Sequence, residues 1–473
     1  MIAPVAPCSQ GAREGRKWRL RCLGTLVVEA LAVGPFVSPV FATTPAAAHH
    51  PSVGSSLPLF AVIPFALLLL AIAVLPLVWG HPWEKLRHKA AVSWGLAAPV
   101  ALWFLRNDPG HLGHTMVEYV AFIALLGSLY IISGGVLISG DLRARRGVNT
   151  TFLLIGGVLA NLIGTTGASV LLIRPLLETN LERERKLHIP IFFIFVVSNV
   201  GGCLTPLGDP PLFLGFLRGV PFTWTFGLFP EWLLMMAMLL TTFFVVDTIA
   251  VRKETRQALR LDLDHRRPLH FAGLHNLLFL LGVLASVFLP LAPRIVAMVL
   301  LAVGSYASTK RWIRDRNRFT FYPINEVAIL FAGIFVAMVP ALLILEARGA
   351  ELGVSEPWQF FWLTGGLSSF LDNAPTYLTF ASLALGLHDL GGEHGGSLLA
   401  LIEHEEGAQL LRAISLGAVF MGANSYIGNG PNFMVKAIAE ERKIVMPSFF
   451  GYMAWSVGIL VPMFVIITLV FFR

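Results

Sequence analysis

Two carboxylates stand inside long apolar stretches of this 473-residue chain. Asp209 lies in SNVGGCLTPLGDPP, residues 198–211, and Asp372 lies in SSFLDNAPTYL, residues 368–378. A charged side chain at the centre of a bilayer costs about 3 kcal/mol on insertion scales, so it persists where it binds a cation or a proton. Desolvation favours the protonated acid, whereas a bound cation favours the carboxylate. We therefore predict that Asp209 and Asp372 couple proton movement to cation movement, each holding sodium transiently.

Polar side chains accompany these acids at four interruptions of the apolar pattern, with the sequences GTTG, SNVGGCLTPLGDPP, DNAP and GANSYIGNGPN. Hydroxyl, amide and carboxylate oxygens, together with freed backbone carbonyls, are the ligands that hard alkali cations prefer. The predicted ion- or substrate-binding residues are Thr165, Thr166, Ser198, Asn199, Asp209, Asp372, Asn373, Thr376, Asn424, Ser425 and Asn429. The interruptions also offer Asn161, Ser169 and Asn432. Each polar residue could instead cap a half-helix, or do both.

The same residues exclude other kinds of chemistry. No cluster of histidine and cysteine accompanies the acids, so a transition-metal site is not indicated. No catalytic residue and no cofactor is predicted, and the expected ligands are the transported sodium ion and proton. The protein is therefore expected to be something other than an enzyme.

Composition defines the setting of these acids. The chain is 56% hydrophobic and only 13% charged, with a mean hydropathy of +0.72. Soluble domains carry about 25% charged residues, and apolar runs of 18 or more residues are typical of membrane spans. The net charge of +7 is distributed over short loops, which argues against a nucleic-acid partner. We predict an all-α protein that crosses the inner (plasma) membrane several times.

The basic residues predict how two of the apolar segments are folded. Six loops carry 24 Lys and Arg residues, whereas the intervening loops carry Arg106, Arg218, Arg294 and Arg348. Basic loops are expected on the cytoplasmic side. The segment at 151–178 has a basic loop at each end, and the segment at 359–386 has a basic-poor loop at each end. Both segments are therefore predicted to be re-entrant hairpins.

The order of segments predicts two inverted repeats. Three helices, a re-entrant hairpin, a broken helix and a final helix fill residues 57–250, and the same six elements recur at 270–472. GDPPLF in the first broken helix even echoes GNGPNF in the second. Residues 1–48 are typical of a signal-peptide leader, and 251–269 are expected to form a cytoplasmic linker. Inverted repeats with discontinuous helices are the signature of secondary transporters.

Four further acids, Asp247, Glu118, Glu231 and Glu326, lie near the predicted ends of spans. We expect these carboxylates to be solvated at the membrane interface rather than to take part in transport.

SNVGGCLTPLGDPPLF and SSFLDNAPTYL resemble the ion transporter superfamily, and most closely its NhaD-type sodium/proton antiporters. The superfamily also contains arsenite permeases and citrate or dicarboxylate carriers, and the similarity covers approximately residues 57–472. The residues that correspond to the family's first ion-binding break and second hairpin tip are Ser198, Asn199, Asp209, Asp372, Asn373 and Thr376. The resemblance further implies alternating access and a homodimer.

Three functions fit these observations to different degrees. A sodium/proton antiporter is favoured, because no Lys or Arg occurs at the interruptions and two carboxylates there would repel a polyanion. A sodium- or proton-coupled symporter of citrate, a dicarboxylate or another organic anion is the alternative, since half-helix N-termini can hold carboxylates and Arg174 could approach if its hairpin bends. An intramembrane aspartyl protease is the remote alternative, but neither acid stands in the motifs of such enzymes.

Overall fold

The computed structural model describes residues 53–79, 82–83, 85–140, 144–255, 268, 270–390 and 397–473. The predicted leader at 1–48 and most of the predicted linker at 251–269 lie outside the described residues. Within these ranges the chain is almost entirely helical, and its one sheet is a two-stranded antiparallel ribbon.

The first half of the chain contains eight α-helices within the described residues. They are α1 Val53–Ser56, α2 Ile63–Trp79, α3 Leu86–Asn107, α4 Pro109–Ser133, α5 Arg146–Thr179, α6 His188–Val196, α7 Pro210–Leu217 and α8 Phe229–Arg252. Strand β1, Leu137–Ser139, follows α4 and pairs with strand β2, His270–Ala272, so that Ile138 faces Phe271. The ribbon joins the end of the third predicted span to the start of the second half.

The second half repeats this order of elements. Its helices are α9 Asn276–Ser286, α10 Leu291–Ser308, α11 Arg311–Arg316, α12 Tyr322–Arg348, α13 Pro357–Ser368, α14 Asn373–Leu387, α15 Leu398–Glu403, α16 Glu405–Met421, α17 Gly430–Glu441 and α18 Phe449–Phe471. Helices α13 and α14 occupy the predicted second hairpin, and α16 with α17 occupies the predicted second broken helix. The succession of elements is as the sequence indicates, whereas the opposed orientation of the two halves remains a prediction.

Seven segments of the described chain are long and apolar enough to cross a membrane. They are Leu59–Pro76, Pro109–Ser133, Arg146–Thr179, Trp224–Arg252, Leu291–Ser308, Tyr322–Leu352 and Phe449–Phe471. The most deeply buried of them is Tyr322–Leu352, which contains α12. The protein is an all-α polytopic membrane protein, as predicted.

Helix α5 has the length of a span but folds back on itself. Gly164 has φ 76° and ψ 154°, a conformation that only glycine adopts without strain, and it divides the helix into two arms. A Cβ added at Gly156 would lie 3.2 Å from the Leu172 side chain, although a straight helix would hold these two residues roughly 24 Å apart. The first hairpin therefore turns within GTTG, where the sequence predicts it.

The second hairpin, formed by α13 and α14, turns between Ser368 and Asn373. The ring centroids of Phe360 and Phe380, one from each arm, lie 6.4 Å apart. A contact between arms this far from the turn shows that the two helices run back alongside each other.

The two broken helices share one local geometry, set by a pair of glycines in each. A Cβ at Gly208 would lie 2.0 Å from the carbonyl oxygen of Gly202, and a Cβ at Gly428 would lie 2.6 Å from that of Gly422. Only glycine fits at such close approaches of backbone to backbone. The motif echo between the two halves therefore reflects the same backbone loop built twice.

The expectation that the acids near span ends are solvated is wrong for Asp247, Glu118 and Glu231, which are buried, whereas Glu326 is partly exposed. Asp247 is fully buried and accepts hydrogen bonds from Arg183 Nη1 at 2.6 Å and His188 Nε2 at 2.8 Å. The other acid–base pairs are Glu118 with Arg218, Glu231 with Arg412 and Glu326 with Lys89. Because the basic partners are distant from these acids in the sequence, local sequence patterns do not reveal the pairs. Each of these ion pairs holds together two parts of the fold that are distant in the sequence.

The glycine contact in the first broken helix is testable by substitution. Gly208→Ala should lower the apparent melting temperature of the purified protein in detergent, because overpacking of this kind costs about 1–3 kcal/mol. Gly366→Ala is the matched control, since a Cβ at this helical glycine meets nothing within 4 Å. Equal melting temperatures for the two variants would contradict the close backbone contact.

Candidate functional site

The four interruptions meet around one carboxylate. Asp209 directly precedes α7, Asn429 directly precedes α17 and Asp372 directly precedes α14. Thr165 begins the second arm of α5, after the turn at Gly164. Four half-helices thus begin at or beside the candidate site, and the partial positive charge of a helix N-terminus favours negative charge nearby.

Asp209 is 1% exposed and accepts three hydrogen bonds from three different elements. Thr165 Oγ1 donates to its Oδ1 at 2.8 Å, and Asn429 Nδ2 donates to the same oxygen at 3.0 Å. Asn373 Nδ2 donates to Oδ2 at 2.5 Å. Hairpin one, hairpin two and broken helix two therefore all contact the acid of broken helix one.

All three donors to Asp209 are neutral. Within the part of the chain that the structure describes, no Lys or Arg forms an ion pair with this carboxylate. A buried carboxylate without a cationic partner retains the capacity to take up a cation or a proton. Protonation would turn one carboxylate oxygen into a donor and so change its hydrogen bonding with the groups that now donate to it.

Asparagines connect the two broken helices to each other. Asn199 Nδ2 donates to Asn432 Oδ1 at 2.7 Å, and Asn429 Nδ2 also faces Asn199 Oδ1 at 3.2 Å. The carbonyl oxygen of Ser198 accepts from Asn429 Nδ2 at 3.1 Å. Asn432 in turn donates to the carbonyl oxygens of the second break. The predicted set of binding residues does not include Asn432. The alignment of GNGPNF with GDPPLF pairs Asn432 with the apolar Leu212, so the motif gives no signal for its role.

Hairpin one is fastened to the first broken helix by Asn161 and Ser169, two of its residues outside the predicted set. Asn161 donates to the carbonyl of Gly201 at 2.7 Å and accepts from the amide of Leu204 at 2.7 Å. Ser169 Oγ and Ser198 Oγ lie 2.8 Å apart. Asn161 thus replaces the helical hydrogen bonds that the break removes, which is a positioning role for an asparagine within an apolar arm.

Hairpin two is fastened to the second broken helix in the same way. Ser368 Oγ donates to the Ala418 carbonyl at 2.7 Å, and Asn424 Nδ2 donates to Ser369 Oγ at 2.9 Å. Each hairpin tip therefore packs on the broken helix of its own half, and the two pairs meet at Asp209.

Two amide oxygens at this site have no donor among the described residues. They are the buried Oδ1 atoms of Asn373 and Asn424. A buried acceptor left unsatisfied costs free energy, and a bound cation would offset this cost. These oxygens are the strongest candidate cation ligands besides the Asp209 carboxylate.

Asp372 occupies a different position from Asp209. Its Oδ1 accepts from the amide of Ala374 at 3.0 Å, so it caps α14, and its side chain is half-buried. Thr376 Oγ1 donates to the Asp372 carbonyl at 2.9 Å, so the Thr376 side chain is hydrogen-bonded to the backbone at the start of its own helix. The structure therefore places Asp372 next to Asn373 without a hydrogen bond to Asp209.

The last two predicted residues lie at the margin of the network. Ser425 Oγ accepts from the amides of Ile427 and Gly428, both at 3.2 Å, and so forms the turn of the second break. Thr166 is half-buried and lines a cavity of about 70 Å³ beside Gly164 and Pro210.

A larger cavity of about 310 Å³ lies beside the small one, since Tyr130 and Pro323 line both. Arg174 and Arg318 line the larger cavity together with Glu441, to which Arg174 donates at 3.2 Å. The buried Nε of Arg174 has no hydrogen-bond partner within the described residues. The bend at Gly164 thus places a basic group near a cavity that adjoins the tip of hairpin one.

Residues 54–472 match a family model described as "Putative citrate transport". The chain belongs to this citrate-transport family. No curated protein sequence matches the chain. The family match spans all four interruptions and agrees with the citrate-transporter-like part of the resemblance. The protein is thus a membrane transporter, and the polar network at Asp209 is its candidate binding site.

The cap formed by Asp372 predicts a stability pattern in this transporter. Asp372→Ala should destabilise α14 by about 1 kcal/mol, because alanine cannot accept the Ala374 amide. Asp372→Ser should retain most of the stability, since serine is a good N-cap without charge. Thermal unfolding in detergent measures both, and equal losses in the two variants would argue against a capping role.

Proposed function

We propose that this transporter exchanges a monovalent cation, sodium in the first instance, for protons at Asp209 in the inner membrane. The observation that carries the proposal is a fully buried carboxylate surrounded by neutral donors from three interrupted elements. A permanently paired acid would have no capacity for exchange, as at Asp247 with Arg183.

Competition for one carboxylate accounts for the exchange. A proton on Asp209 removes the negative charge that sodium requires, and a bound sodium ion disfavours protonation, so the two ligands exclude each other. Sodium would be held by Asp209 and by the free amide oxygen of Asn373, whose Nδ2 contacts the same carboxylate. Protonation of Oδ2 would make it a donor toward Asn373, whose amide would then turn its free Oδ1 to this oxygen, so the protonation state is linked to the contact with hairpin two.

The proposed moving unit is the set of both hairpins and both broken helices. Hydrogen bonds of Asn199, Asn429 and Asn432 cross between the two broken helices, and separating them would leave buried amides unpaired. Alternating access with this unit moving as one body is what the superfamily resemblance implies, and so is a homodimer in the lipid bilayer.

A second candidate is coupled symport of citrate or another organic anion. The family description favours it, and so do the half-helix N-termini around Asp209, which can hold carboxylate groups. The cavity beside Arg174 and Arg318 adds a basic approach for an anion. On this reading Asp209 would serve the coupling ion rather than the substrate.

Everted membrane vesicles with a pH-sensitive dye test the first candidate. Sodium or lithium pulses should release protons from wild-type vesicles, and Asp209→Asn should reduce the signal to that of vesicles without the transporter, because the amide has no charge to exchange. Glu351→Gln is the matched control, since the Glu351 side chain is 60% exposed and forms a surface ion pair with Arg348. Antibody detection verifies equal insertion of all variants.

The outcome for the wild-type protein separates the two candidates. Antiport is overturned if neither cation releases protons while labelled citrate accumulates in the same vesicles under a sodium or proton gradient. Proton release without citrate uptake supports antiport and excludes citrate as the substrate of the second candidate.

Asp372→Ser tests the charge of Asp372 separately from its role as the N-cap of α14. If Asp372 contributes charge to coupling, this variant should lose cation-driven proton movement while keeping the stability of the wild-type protein. Full activity in Asp372→Ser would limit Asp372 to capping and leave Asp209 as the single exchanging acid.

A further inference from the structure

A cluster of potential metal ligands lies outside the transport site. His388 follows the last residue of α14, His404 directly precedes α16, and Glu406 lies in the first turn of α16. One ligand atom from each residue lies within 4.8 Å of the other two. The imidazole centroids of His388 and His404 are 4.6 Å apart. Folding thus joins two histidines that are 16 residues apart in the chain, whereas the sequence indicated no transition-metal site.

A buried nitrogen in this cluster lacks a partner. Nε2 of His388 is inaccessible to solvent and has no hydrogen bond within the described residues. Leaving such a group unsatisfied costs free energy, which a coordinate bond to a metal ion would offset. His404 and Glu406 are exposed, so their side chains are free to close around an ion next to this nitrogen.

The donor set and its surroundings suit a divalent cation. Two imidazole nitrogens and one carboxylate are a recurrent zinc ligand set, with a fourth tetrahedral position left for water. Bonds of about 2.0–2.1 Å place tetrahedral ligands roughly 3.3 Å apart, so the ligand atoms, now within 4.8 Å of one another, need to approach by about 1.5 Å at most. Residues 387–408 contain no Lys or Arg, and the exposed Asp389, Glu403 and Glu405 add negative charge nearby.

We propose that His388, His404 and Glu406 form a zinc site that ties the end of hairpin two to the start of broken helix two. The site joins α14, which carries Asn373, to α16, which leads into the break at Gly422. Zinc bound there reinforces the packing of these two elements at the end remote from Asn373. The proposal is independent of which ion or anion the protein transports.

Calorimetric titration with zinc chloride tests the site on the full-length, untagged protein in detergent after treatment with a chelator. The wild-type protein should bind one zinc ion per chain, and its melting temperature should rise. His404→Ala and Glu406→Gln should each weaken binding by about tenfold or more, since outer-shell partners of a zinc site alone contribute that much. His275→Ala is the matched control, because His275 is exposed and lies outside the cluster.

Cobalt provides a second readout. Co²⁺ in the same site should give the intense visible absorption of a tetrahedral complex, and this band should be absent in His404→Ala. Unaltered zinc affinity in both His404→Ala and Glu406→Gln, or no stoichiometric binding by the wild-type protein, would overturn the proposal. Both ligand positions are exposed, so normal gel-filtration profiles are expected for the variants.

Discussion

The arrangement of the interrupted helices at the centre of this transporter depends on the hydrogen bonds of one carboxylate. Asp209 is excluded from solvent, and its oxygens are satisfied only because Thr165, Asn373 and Asn429 reach it from three other positions in the chain. That convergence brings the interruptions of all four elements to one place in the fold. The positive φ of Gly164 and the close approach of Gly202 to Gly208 are local costs of this arrangement.

The sequence predicts the frame of the site well, because its signals are local or periodic. Apolar runs, basic loops and small polar interruptions indicate the hairpins and broken helices, and a buried acid after Gly208 stands out. Side-chain pairing is not local. Asp209 and Asp372 look alike in sequence, yet one is held by three donors and the other caps its own helix. Similarly, only the fold brings Arg183 to Asp247, or His404 to His388.

The two halves are alike in backbone but differ in charge. GDPPLF and GNGPNF build the same glycine-bounded loop, and Asp209 and Asn429 stand at equivalent positions before α7 and α17. The amide of one position donates to the carboxylate of the other at 3.0 Å. A second acid at Asn429 would place two negative charges in contact, so the asymmetry leaves a single carboxylate at the point where the two similar loops meet.

The asparagine contacts that join the two broken helices also have a consequence for the rate of transport. An ion seated at Asp209 would be surrounded by groups from both halves, so it could not advance past them while the pocket stayed still. It would keep one coordination shell through the whole passage and lose or regain its water only at the two end states. Turnover would then follow the slow reorientation of a protein body, and the flux through each molecule would fall far below that of an open pore.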